Sequence, residues 1–247
     1  MPGIEWHFFK VRAVPCENEF QHVQQSLLEV YPPCRLFQNL DGLGNGVQWG
    51  TYDSLHDRFL ISSTGIVHQS SPYLLHETPA PYYLTQTKLT TLEGLPEDLQ
   101  HRLQVVKENG EYTVFDLSRC VMGYVFENMT YSPGTTTVLS TARDVMQSRR
   151  GVCQDFAHVM IALCRLLRIH VRYVNGIMLG EGQTHAWVEV SDGSVWRAFD
   201  PTHNVEVEWG YVKIAHGRDA DDCPSNRGRF YSLTSELMTV HTQIVSA

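Results

Sequence analysis

No Cys-x-x-Cys pair occurs in the 247 residues, so a structural zinc site of ordinary cysteine spacing is not expected. The six cysteines, Cys16, Cys34, Cys120, Cys153, Cys164 and Cys223, stand at long, irregular intervals. A chain of this size needs no disulfide staples, and all six are expected to be reduced. There is no His-Glu-x-x-His and no other tight ligand spacing, so neither a metal nor any other cofactor is expected. No apolar run reaches the roughly 18 residues of a membrane span. The start, Met1-Pro2-Gly3-Ile4-Glu5-Trp6, lacks a basic region and an apolar signal core. A cytoplasmic protein without a membrane partner is the expectation. Positive charge is scarce too: 19 Lys and Arg stand against 27 Asp and Glu, a formal charge of −8. That balance gives no basic stripe for a phosphate backbone, so no nucleic-acid partner is expected.

What is present suffices for a large core. Hydrophobic residues make up 43% and aromatics 11%. The first 85 or so residues read as a β-rich domain, 1–85. Trp6 to Val14 mixes aromatic and β-branched residues, while Phe20 to Val30 is glutamine-rich and open to either reading. Asp41-Gly42-Leu43-Gly44-Asn45 is a strong turn. Val47 to Tyr52 and Arg58 to Val67 read as a hairpin closed by Asp53–Asp57. Pro72, Pro79 and Pro81 mark a linker, and 86–113 reads as a connecting segment. From 114 to 228 the pattern is that of an α+β core. Val114, Leu117, Val121, Val125 and Met129 form one helical face. Thr141 caps a short helix, and a third begins at Cys153. His170 to Met178, Thr184 to Ser191 and Ser194 to Phe199 then form an antiparallel meander. Residues 205–228 read as loop-rich, and 229–247 as a last strand that returns to the N-terminal strands.

The stretch Arg149-Arg150-Gly151-Val152-Cys153-Gln154-Asp155-Phe156-Ala157-His158 is the most informative. A cysteine at a helix start meets unpaired N–H groups and the positive end of the helix dipole, which favour the thiolate nucleophile. A buried structural cysteine needs no such setting. His185 stands at the head of a strand on the face shared by Trp187 and Glu189. His158 is the nearest rival base, but five residues along the helix it points away from Cys153. Asp200 precedes Pro201, an ordinary turn use of aspartate. The turn at Asp192-Gly193 nevertheless brings it beside His185, where it could hold the imidazole. Cysteine, histidine and aspartate in this order are the parts for covalent acyl transfer.

Together these residues resemble the transglutaminase-like superfamily, a branch of papain-like cysteine chemistry. The resemblance rests on Tyr131-Ser132-Pro133-Gly134, the Arg150–His158 box, Arg172-Tyr173-Val174-Asn175-Gly176, Thr184–Val190 and Phe199-Asp200-Pro201-Thr202. Bacterial members add the Asp41–Asn45 turn of an N-terminal β domain and a segment like Gly217-Arg218-Asp219. The resemblance implies Cys153 as nucleophile, His185 as base and Asp200 as orienting acid. Animal members use a tryptophan as oxyanion donor, but none lies between Trp49 and Trp187 here. Tyr131 and Gln154 are the candidates for that role beside the Cys153 N–H. Two departures stand out. Arg168-Ile169-His170 replaces the usual Gly-Ile-Pro, removing the glycine favoured after a helix. Ala220 replaces an aromatic after Gly217-Arg218-Asp219, which bears on substrate choice. The implied function is hydrolysis of peptide or carboxamide bonds in a peptide or protein substrate, through a thioester on Cys153. Bacterial members are regarded as proteases, which ranks hydrolysis above acyl transfer to an amine. A binding module on the same fold is the remaining alternative, and retention of all three residues argues against it.

Overall fold

The computed structural model describes residues 4–231 and 237–246. Its elements follow in chain order: β1 Trp6–Val11, β2 Gln21–Tyr31, β3 Phe37–Leu40, β4 Gly46–Tyr52, β5 Leu60–Gln69, α1 Glu97–Glu108, α2 Val114–Asn128 and β6 Thr130–Tyr131. Then come α3 Ala142–Ser148, β7 Arg150–Gly151, α4 Cys153–Leu166, β8 His170–Met178, β9 Gly180–Gly182, β10 His185–Ser191 and β11 Trp196–Asp200. The last four are β12 Val205–Glu206, β13 Tyr211–Gly217, β14 Asn226–Tyr231 and β15 Thr242–Ile244. This is a mixed α and β fold, as the patterning predicts. None of the described helices is long and apolar enough to cross a membrane.

Two capping boxes start the helices ahead of the nucleophile loop. Thr113 with Asp116 opens α2, and Thr141 with Asp144 opens α3. The face of α2 carrying Leu117, Val121 and Val125 is buried against α4. The other side of α4 lies on a five-stranded antiparallel sheet of order β12-β11-β10-β8-β13. Alternation along β10 decides which side chains meet α4. Ala186, Val188 and Val190 join the helical core, while Trp187 joins a second core with Trp196, Tyr73 and Tyr83 on the opposite face. At the far end of α4, Arg168 takes a left-handed φ of 61° where the resemblance leads one to expect glycine. That conformation costs a side-chain-bearing residue about 1–2 kcal/mol.

Several expectations change. The hairpin of Val47–Tyr52 with Arg58–Val67 does not form: β4 lies between β1 and β3, and β5 pairs with β2. The turn at Asp41–Asn45 closes β3 onto β4 instead. Its Asp41 Oδ1 accepts the N–H groups of Leu43 at 2.9 Å and Asn45 at 3.0 Å. The 53–57 stretch is occupied elsewhere, since His56 pairs with Ile4. The glutamine-rich segment is strand β2. The proline-bearing stretch is packed rather than free: Tyr73 and Leu75 are buried, and Leu75 bridges to Trp196. The 86–113 segment contains α1, whose narrow buried stripe, Leu99 and Leu103, is hidden among polar residues. The region 205–228, read as loop-rich, contains β13, where a bulge between Lys213 and Ala215 breaks the alternation. In the 229–247 segment, β14 begins at Asn226 and pairs with β1, while 232–236 and 247 lie outside the described residues.

β13 is the edge strand of the five-stranded sheet, so one row of its backbone groups lacks a neighbouring strand. Side-chain amides from the N-terminal strands supply partners. Gln21 donates to the Lys213 carbonyl and accepts its N–H, both at 2.8 Å. Asn45 does the same for His216, again at 2.8 Å each way. Gln69 donates to the Tyr211 carbonyl at 2.6 Å and accepts the Gly210 N–H at 2.9 Å. Each amide reads the edge as a strand would, and Gln21 and Asn45 are almost wholly buried. Gln21→Leu therefore takes the partner from the Lys213 N–H and from the Cys16 carbonyl, to which Gln21 also donates at 2.7 Å, while the Lys213 carbonyl keeps the Cys16 N–H at 3.0 Å. The expected loss is about 1–3 kcal/mol for each orphaned group, read by urea unfolding. A loss below about 0.5 kcal/mol would show that the clamp adds nothing to stability.

Candidate active site

The loop before α4 is held by a short parallel pairing of β6 with β7. The chain then turns at Gly151 and Val152 into the helix. Asp155, at the third helical position, folds its carboxylate back to accept the Val152 N–H and the Thr136 hydroxyl, both at 2.7 Å. A β-carbon at Gly151 would sit 2.6 Å from Asp155 Oδ2, so any side chain there would displace this cap. Burial pushes the Asp155 carboxyl up, opposed by the bonds from Val152 and Thr136. Cys153 is the first helical residue and is half-buried. The N–H groups of Cys153 and Gln154 lie in the first turn, where no intrahelical acceptor exists.

His185 enters from the sheet. It opens β10, opposite Gly176 on β8. Val188 pairs with Phe199, and one further step of that register sets Asp200 opposite Trp187. Asp200 thus shares the face of His185 on a diagonal. Its Oδ2 lies 2.8 Å from His185 Nε2, and the Cys153 side chain lies near enough to act on the same imidazole. Burial draws the His185 pKa down. The bonds and charges of Asp200 and Cys153 outweigh it and raise the value to about 9. Asp200 is wholly buried, which alone would raise its carboxyl. The bonds and charges of His185 and His203 instead hold it well below the ordinary carboxylate range.

The three residues singled out in the sequence are brought together. Tyr131 is 54% exposed on β6, its ring 6.4 Å from that of Phe156. Burial, and then the charge of Cys153, push its phenol up, which sets it in the electrostatic neighbourhood of the cysteine. Gln154 is half-buried at the second helical position. His158 is buried and turned away: its Nε2 accepts the Ala220 N–H at 3.2 Å, and burial pushes it down to about 4 against the charge of Asp219. Burial raises all the other cysteines, with Cys164 pushed up to about 12.

Two partners of Asp200 escape a reading of the sequence. His203 Nδ1 lies 2.7 Å from Oδ2, and the Tyr211 hydroxyl donates to the same oxygen at 2.8 Å. Oδ1 accepts the Thr202 N–H at 2.8 Å, an Asx turn. That turn was the available signal for His203, three residues on. Tyr211 opens a strand that the sequence concealed. His185, Asp200 and His203 present ligand-type atoms within 4.8 Å of one another. Their N···O contacts of 2.7–2.8 Å are hydrogen-bond distances. Ligands spread around a zinc at about 2.0–2.2 Å would stand farther apart, so the group is linked by protons.

Comparison with known proteins fits this geometry. Residues 103–201 match the sequence model of the transglutaminase-like superfamily. An uncharacterized protein of Mycobacterium leprae is 27% identical over 249 residues, covering 90% of this chain and 85% of its own length. An uncharacterized protein of Mycobacterium tuberculosis is 28% identical over 229 residues, covering 78% and 71%. The solved structure of "a Putative Cysteine Protease from Cytophaga hutchinsonii" shares the fold, with a TM-score of 0.72, 23% identity and coverage of 97% of this chain and 89% of that one. Residues 103–201, which carry Cys153, His185 and Asp200, are thus similar to the transglutaminase-like superfamily.

Proposed function

We propose that this chain is a cysteine hydrolase acting on peptide or carboxamide bonds. Family and fold support a cysteine-based hydrolase or acyltransferase in general. The observation that carries the finer reading is the line from the helix-head Cys153 through His185 to the buried Asp200, closed by the 2.8 Å bond. Cys153 Sγ attacks the carbonyl carbon and the C=O π pair moves to oxygen. The Cys153 N–H at the head of α4 faces that oxyanion, with the Tyr131 hydroxyl or the Gln154 amide as second donor. His185 passes its proton to the leaving nitrogen as the C–N bond breaks, leaving a thioester on Cys153. Water then gives a proton to His185 and attacks the thioester, releasing the acid and the thiolate. Asp200 holds the ring so that Nδ1 faces sulfur and stabilises the imidazolium throughout. An amine in place of water would make the same machinery an acyltransferase. The substrate in this reading is a peptide or protein.

The reading is tested with a peptide library and a primary amine, followed by mass spectrometry of the products. Acid products support hydrolysis. Amine adducts in their place show transfer, and no change in any peptide contradicts both. Limiting iodoacetamide should label Cys153 before the other cysteines, as peptide mapping would show. First labelling at Cys120 or Cys16 would remove Cys153 from the role. Asp200→Asn should keep the fold and slow turnover by at least about 100-fold. Unchanged turnover would leave Asp200 a turn residue. The raised His185 pKa also has a sign. It stands above the free value of 6.5, so its contribution to stability is complete below 6.5 and is lost as pH rises through about 9. Turnover should fall over that same alkaline limb, and in Asp200→Asn the limb should move toward 6.5.

A further inference from the structure

Asp200 Oδ2 is oversubscribed. It faces His185 Nε2 at 2.8 Å, His203 Nδ1 at 2.7 Å and the Tyr211 hydroxyl at 2.8 Å. A carboxylate oxygen offers two lone-pair sites, so three donors on one oxygen must share them. Among the described residues, Oδ1 carries only the Thr202 N–H. The crowding is built in rather than incidental. Asp200 is wholly buried, and Tyr211 is fixed at the start of β13, whose backbone Gln69 clamps. His203 is fixed by the Asx turn that Asp200 itself forms, and its ring stands 5.3 Å from that of His185.

We propose that His203 and Tyr211 are positioning residues that act on His185 through Asp200, taking a share of Oδ2 and so limiting how tightly the carboxylate holds the imidazole. A base must give its proton to the leaving nitrogen as well as hold it. An undivided buried carboxylate would hold the imidazolium too firmly, and proton transfer is most efficient when the base is poised near the working pH. The two extra donors relax that hold without removing the negative charge. Among the described residues, the titratable groups facing His185 are Asp200 at the end of β11, Cys153 at the head of α4, His203 in the turn after β11 and Tyr211 at the start of β13. Of these, only His203 and Tyr211 reach His185 by way of the shared oxygen.

The inference rests on the proposed triad, and the direction of the effect separates it from a purely structural role. If His203 and Tyr211 only kept Asp200 in place, removing either would loosen the carboxylate and lower the titration midpoint of His185. If they compete for Oδ2, removing either strengthens the remaining bond and raises it. The test is an NMR titration of the full chain with nitrogen-labelled histidine, the His185 signal being assigned by its loss in His185→Gln. His203→Ala and Tyr211→Phe should each raise the midpoint by about half a unit or more, roughly threefold in proton affinity. His203→Asn, which keeps a donor, should stay near the wild type. A midpoint that stays put or falls in either His203→Ala or Tyr211→Phe overturns the inference. A wild-type midpoint at the free value of 6.5, rather than near 9, would instead count against the triad itself.

Discussion

One buried carboxylate, Glu189, fixes the register on which the site depends. It is fully buried on β10 and bonded to Arg172 on β8, to Lys213 Nζ on β13 at 2.8 Å to each oxygen, and to the Tyr73 hydroxyl. The guanidinium of Arg172 also lies 4.1 Å from the Trp196 ring on β11. Burial alone would raise the Glu189 carboxyl, but the charges of Arg172 and Lys213 hold it far below the ordinary range. Such a network gives little net stability, because desolvating its charges cancels most of the attraction. Its effect is on specificity. A slip of one residue along β10 would turn Glu189 into the apolar layer beneath α4 and turn His185 away from Asp200. The charge cluster and the histidine share one strand face, so satisfying one aligns the other.

The N-terminal strands belong to the same mechanical unit. They do not supply Cys153, His185 or Asp200, but they close the open edge of the sheet through Gln21, Asn45 and Gln69. Arg12 reinforces the turn that carries Asn45, bonding Asp41 at 2.7 Å and the Pro224 carbonyl at 3.2 Å. β14 then returns to pair with β1, so a strand from late in the chain joins the N-terminal strands in one four-stranded sheet. Because Tyr211 sits on the clamped edge and reaches Asp200, the N-terminal strands bear indirectly on the candidate site.

Much of the site was legible because its chemistry and its local structure leave marks in the same few residues. Gly151 and Cys153 announce a tight turn into a helix, and alternation along Thr184–Val190 separates the face of His185 from the face of Val188. Asp192-Gly193 fixes the hairpin that brings Asp200 alongside. What stayed hidden depends on distant partners. β13 reads as a poor strand because Lys213 and His216 are polar, yet Glu189 takes the Lys213 ammonium, and Gln21 and Asn45 pair the backbone of the two residues. The pairing of β5 with β2 rather than β4 is likewise non-local, since no tight turn joins β5 to either strand. The role of Tyr211 follows only once β13 is known.

The central claim is that acyl transfer passes through sulfur at the head of α4. Protein mixed with a peptide library, quenched in acid during turnover and then digested, measures this directly. The account predicts an acyl group on Cys153 that hydroxylamine removes, and no adduct or product with Cys153→Ala. Product formation without an adduct on Cys153, or undiminished product with Cys153→Ala, would contradict it.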